Sequence, residues 1–165
     1  MKYMKSTLLI ILGFIPSALS KKQKNKKKTL TACIGPYPGT DTDADGKVEV
    51  KFYPNADGLT FKHKLKNLEE DVTGGTHIHS GTTCDNADDV GGHYWDAGSD
   101  GTTPDQWTPE YGAVYETNGK GSTKGSFSLD SGYGYDENIG HAVVVHDSTG
   151  ARVGCGVLVE GKEKC

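Results

Sequence analysis

Short runs rich in β-branched and aromatic residues punctuate this 165-residue chain, separated by segments rich in Gly, Asn and Asp. That pattern predicts strands near Leu30 to Ile34, Lys47 to Tyr53, Leu59 to Leu65, Thr76 to Ser80, Ala113 to Thr117, Gly125 to Leu129, Ala142 to His146 and Gly154 to Glu160. No stretch carries the 3.6-residue apolar period of a useful amphipathic helix. Eight short strands predict an all-β fold, a closed Greek-key barrel or sandwich. Asn118-Gly119, between two strand-like runs, reads as a hairpin turn.

The two ends break the pattern. Lys2 and Lys5, the apolar segment Leu8 to Ile15 and the small-residue stretch Ala18-Leu19-Ser20 read as a signal peptide over 1–20, too short to span a membrane. The expectation is a secreted chain with no transmembrane span, in an oxidising compartment that suits its four cysteines. Residues 21–28 hold six lysines and nothing apolar, so Lys21–Lys28 is expected to be a disordered tail, either a solubilising leader or an attachment to an anionic surface. The folded domain then runs from 29 to 165. From Thr29 onward 10 basic side chains face 22 acidic ones, a net of −12. No Asn-x-Ser/Thr acceptor occurs and nothing points to sequence-specific nucleic-acid binding.

Candidate chemistry concentrates in histidines. His77 and His79 alternate within one predicted strand, which puts both rings on the same face and within reach of one metal. His146 closes the β-branched run Ala142-Val143-Val144-Val145, so a third imidazole sits on a rigid element. Imidazole suits copper, zinc and iron. His141, five residues before His146, falls on the opposite strand face, and with His63 is assigned no metal role. The Asp41-x-Asp43-x-Asp45-Gly46 segment copies half a calcium loop, but its twelfth position is Phe52; an acidic turn between strands is the expectation, with a weak calcium site as the alternative.

Gly75-Thr76-His77-Ile78-His79, Cys84, Gly92-His93-Tyr94, Gly140-His141 through His146, and Gly150-Ala151-Arg152-Val153-Gly154-Cys155-Gly156-Val157 follow one another in an order that resembles the copper-zinc superoxide dismutase family, across about the last 135 residues. The resemblance implies a Greek-key barrel, copper bound by His77, His79, His93 and His146, a Cys84–Cys155 disulfide, and Arg152 beside the metal to receive superoxide. Four cysteines allow three pairings; the implied one leaves Cys33 and Cys165, which the family's fold would bring to neighbouring first and last strands.

Two departures narrow the resemblance. No histidine lies between His93 and His141, where zinc-containing members supply zinc ligands, and only Asp147 to Ala151 separates His146 from Arg152, where those members have a long loop. Both look like the copper-only branch, with zinc absent and an open site. The resemblance then implies that His93 carries a proton during copper cycling, and without zinc its outer nitrogen needs a carboxylate; Glu110 is the candidate, with Asp96 and Asp105 as rivals. Tyr94, Trp95, Trp107 and Tyr111 are expected to pack as a loop cluster that replaces zinc's structural help. Dismutation of superoxide to dioxygen and hydrogen peroxide is the expected activity. An extracellular copper-buffering protein is the alternative, but it has no need of Arg152, and a purely structural module would not keep four ligands.

Overall fold

The computed structural model describes residues 26–54 and 56–165; the expected leader and the first part of the basic tail, 21–25, lie outside the described residues. Among the described residues nine strands form: β1 (Lys28–Pro36), β2 (Asp45–Phe52), β3 (Leu59–Lys66), β4 (Thr73–His79), β5 (Val114–Glu116), β6 (Thr123–Leu129), β7 (Ala142–His146), β8 (Arg152–Val157) and β9 (Val159–Glu160). Every predicted run is a strand, and no α-helix occurs among the described residues, so none could cross a membrane. The last run divides at Leu158, which turns fully into the core; before it β8 pairs with β7, and after it β9 pairs with β1.

The order β5-β4-β7-β8-β1-β2-β3-β6 is antiparallel throughout and curls into a nearly closed barrel. Its non-sequential neighbours, β3 with β6, β4 with β7 and β8 with β1, are the long crossings of a Greek key. β1 is the corner: Lys28 to Ile34 pair with β2, whereas Gly35 and Pro36 pair with β8. The Asn118 turn is real, but it is not a hairpin. Asn118 N–H donates to Ser122 O at 3.0 Å, yet the strands on either side pair elsewhere, β5 with β4 and β6 with β3. The turn carries the chain from one side of the barrel to the other.

Alternation fills the barrel. Leu30, Ala32, Val48, Val50, Phe61, Ile78, Val143 and Val145 are all fully buried in one cluster, the apolar burial that dominates folding free energy. A smaller cluster lies outside β7 and β8, formed by Tyr37, Val90, Ala142, Val144 and Cys155, with Cys84 and Ala87 against it. Cys84 is bonded to Cys155 and Cys33 to Cys165, with Cα–Cα distances of 5.8 and 5.4 Å. Two disulfides are consistent with an extracellular or secreted protein. Asp41, Asp43 and Asp45 do not converge on a common point; Asp45 instead pairs with Lys66 at 3.2 Å. The segment is the irregular end of the β1–β2 connection, and Asp45 opens β2.

Candidate metal centre

β4 buries Ile78 in the main core, so His77 and His79 share its opposite face. The same alternation on β7 sends Val143 and Val145 inward and puts His146 on the side of Val144. Gly75 lies in register with His146. A Cβ at Gly75 would stand 2.8 Å from the His77 ring, so glycine leaves the room that the imidazoles occupy. His93 arrives on the long connection after β4, where Ser80 N–H donates to Gly92 O and Tyr94 N–H to Ile78 O, both at 2.8 Å. The four rings converge: one ligand-capable nitrogen from each lies within 4.8 Å of the others. This is the one such group of three or more metal-ligating side chains among the described residues.

Backbone carbonyls set the tautomers. His79 Nδ1 bonds Gly91 O at 3.0 Å and His146 Nδ1 bonds Gly150 O at 2.9 Å, so each Nδ1–H donates and each Nε2 keeps its lone pair. Those two Nε2 atoms are 3.3 Å apart, the separation of two tetrahedral ligands on metal–nitrogen bonds of about 2.0–2.1 Å. Both His77 nitrogens are buried without a hydrogen-bond partner, a cost that a metal ion would relieve at the nitrogen it binds. Burial drives the His77 pKa down to about 2 and that of His79 to about 3, and lowers His146 as well. The neighbouring imidazoles add to all three shifts, and the Arg152 guanidinium adds to those of His79 and His146. The rings therefore stay neutral at ordinary pH, the form that ligates.

The carboxylate at His93 is Asp105, not Glu110. Asp105 Oδ2 accepts from His93 Nδ1 at 2.6 Å, while its Oδ1 accepts from Trp107 N–H at 2.8 Å. Trp107 is completely buried against Phe61, Phe127 and His77, and its indole N–H donates to Tyr94 O at 2.7 Å. That anchor aims Asp105 at the ring. Glu110 falls beyond it, exposed on a single 3-10 turn, Pro109–Tyr111. Asp96 is spent on Gly98 N–H at 2.9 Å. The aromatic packing holds for Tyr94, Trp95 and Trp107, whereas Tyr111 points to solvent. His141 stacks on Tyr94 at 3.8 Å and bonds His79 O, and His63 is buried against Tyr115; neither joins the cluster.

Arg152 opens β8 in register with His146. Its guanidinium donates to Gly91 O at 2.7 Å and to Tyr37 Oη at 2.9 Å, and lies 5.7 Å from the centre of the Tyr37 ring. Gly91 O thus joins Arg152 to His79. Tyr37 and the Gly91 and Gly150 carbonyls are participants that the spacing of side chains did not reveal: carbonyls have no sequence signature, and Tyr37 lies 40 residues before the first histidine of the cluster. A cleft of about 420 Å³ reaches the cluster past His77, His93 and His146, between Thr108-Pro109 and Asp147-Ser148.

No family model matches this chain, and no curated protein matches it.

Proposed function

We propose that this protein is a secreted superoxide dismutase of the copper-only type. The observation that carries the proposal is the convergence of four imidazoles, three of them held neutral by burial, beside a guanidinium fixed on Gly91 O and Tyr37. His77, His79, His93 and His146 would hold copper; donor set and spacing fit it, as they would fit other imidazole-binding metals. When bound, copper supplies one-electron chemistry, taking an electron from one superoxide to give dioxygen and passing it to a second, which with two protons becomes hydrogen peroxide.

The protein's own groups do the rest. Asp105 fixes His93 Nδ1–H, leaving Nε2 to ligate and to take and return a proton. Because that outer nitrogen is already bonded at 2.6 Å, the arrangement favours one metal over a zinc-bridged pair. Arg152, a rigid planar cation, supplies a local attraction for a small anion on a domain that is negative from Thr29 onward.

Purified protein from metal-replete medium should carry one copper and no stoichiometric zinc, and should consume superoxide catalytically. Arg152→Glu should retain copper but lower the second-order rate at least about tenfold, ~1.4 kcal/mol of barrier. Equal rates at matched copper content would favour a copper-buffering role instead.

A further inference from the structure

Charge is strongly segregated between the two sides of this barrel. Of the 10 basic side chains from Thr29 onward, six lysines sit on β2, β3 and β6: Lys47, Lys51, Lys62, Lys64, Lys66 and Lys124. The same three strands carry only two of the 22 carboxylates, Asp45 and Glu49. One sheet face is therefore locally cationic in a domain whose net charge is −12.

Register sharpens this. Lys47 stands opposite Lys64, and Lys64 opposite Lys124, giving three lysines in one row across three strands. Neighbouring strands lie only about 4.8 Å apart, and like charges directly opposite destabilise a sheet. Glu49 pairs with Lys47 and Lys51, and Asp45 with Lys66, but Lys62, Lys64 and Lys124 have no carboxylate within 4.0 Å among the described residues. Shallow cavities of about 540 and 440 Å³ flank the row, and Lys47, Lys64 and Lys124 line both.

We propose that this face docks an extended anionic polysaccharide. Apart from Asp45 and Glu49, which pair with Lys66, Lys47 and Lys51, the other outward side chains of these strands are hydroxyls, Thr60, Ser126 and Ser128, suited to sugar hydroxyls and acidic groups. Of the exposed large hydrophobics among the described residues, Tyr53, Tyr111 and Val159, none lies within these strands, and Tyr53 follows the far end of β2, so the Lys47–Lys64–Lys124 row itself offers neither a stacking platform for bases nor an apolar wedge for lipid. Attraction acts locally, because salt screens charges beyond about 8 Å at 0.15 M. The proposal is independent of the metal centre, which lies on β4 and β7.

The test is binding of the full chain to dextran sulfate at about 0.15 M salt, with uncharged dextran, anionic phospholipid vesicles and duplex DNA as the other arms. Lys64→Glu should weaken dextran sulfate binding at least about tenfold and flatten its salt dependence. Its unfolding midpoint should stay level or rise, since a carboxylate then separates Lys47 from Lys124. Lys64→Gln should weaken binding less. The basic tail is the same in every variant, so the difference belongs to the face. Affinity within about twofold of the parent in both variants would overturn the proposal, as would tighter binding by the parent to vesicles or DNA than to dextran sulfate.

Discussion

The sheet half built on β4 and β7 and the half built on β2, β3 and β6 use the same two-residue alternation, yet one buries imidazoles and the other exposes lysines. The difference is what lies outside the strands. Over β4 and β7, the connection from Ser80 to Ala113 folds back, pinned by Cys84–Cys155, Val90 and Trp107, and the outward residues become a second, polar interior. Over β3 and β6 no such connection covers the strands among the described residues, and Lys62, Lys64 and Lys124 remain exposed. A strand pattern thus sets which residues point outward, while the covering loop decides whether they are surface or site.

The two disulfides provide the strongest way to break this contrast. By the chain-entropy relation, loops of 132 and 71 residues contribute about 5 and 4 kcal/mol respectively. Replacing both Cys33 and Cys165 by Ser should cost the larger amount in urea unfolding but leave bound copper unchanged. Replacing both Cys84 and Cys155 should cost slightly less yet lose the metal, because the covering loop and His93 come free. Equal copper loss in the two variants would show that the loop is not what separates the halves.

Within the covered half, Asp105→Asn should weaken copper affinity about 10- to 100-fold, read by competition with a chelator, while Glu110→Gln should leave it unchanged. Indistinguishable variants would remove Asp105 as the group that orients His93. On the bare half the effect is smallest and of opposite sign: Lys64→Glu should raise stability by about 0.2–1 kcal/mol, because an opposed like-charge row becomes an alternating one.

What could be read from the residues followed the same division. Strands were legible because burial imposes a period of two, and His77 and His79 because that period puts them on one face; that His146 and His93 join them was implied only by the family resemblance, since it depends on the pairing of β4 with β7. Asp105 was hidden as one of three candidate carboxylates in one irregular loop, where no period ranks Asp96, Asp105 or Glu110; the burial of Trp107 made the choice. The Asn118 turn misled for a related reason. Its local chemistry is that of a tight turn, but the pairing of β5 and β6 with other strands is a long-range outcome that four residues do not encode. The lysine row likewise needs the register of three strands, which a single run cannot show.

The nesting of the two cross-links, 84 to 155 inside 33 to 165, has a further consequence for proteolysis. A single cut at any peptide bond between Cys33 and Cys165 leaves both new ends attached through Cys33–Cys165. The nicked molecule stays in one covalent piece, with the barrel strands still tethered to re-pair, and only reduction separates the fragments.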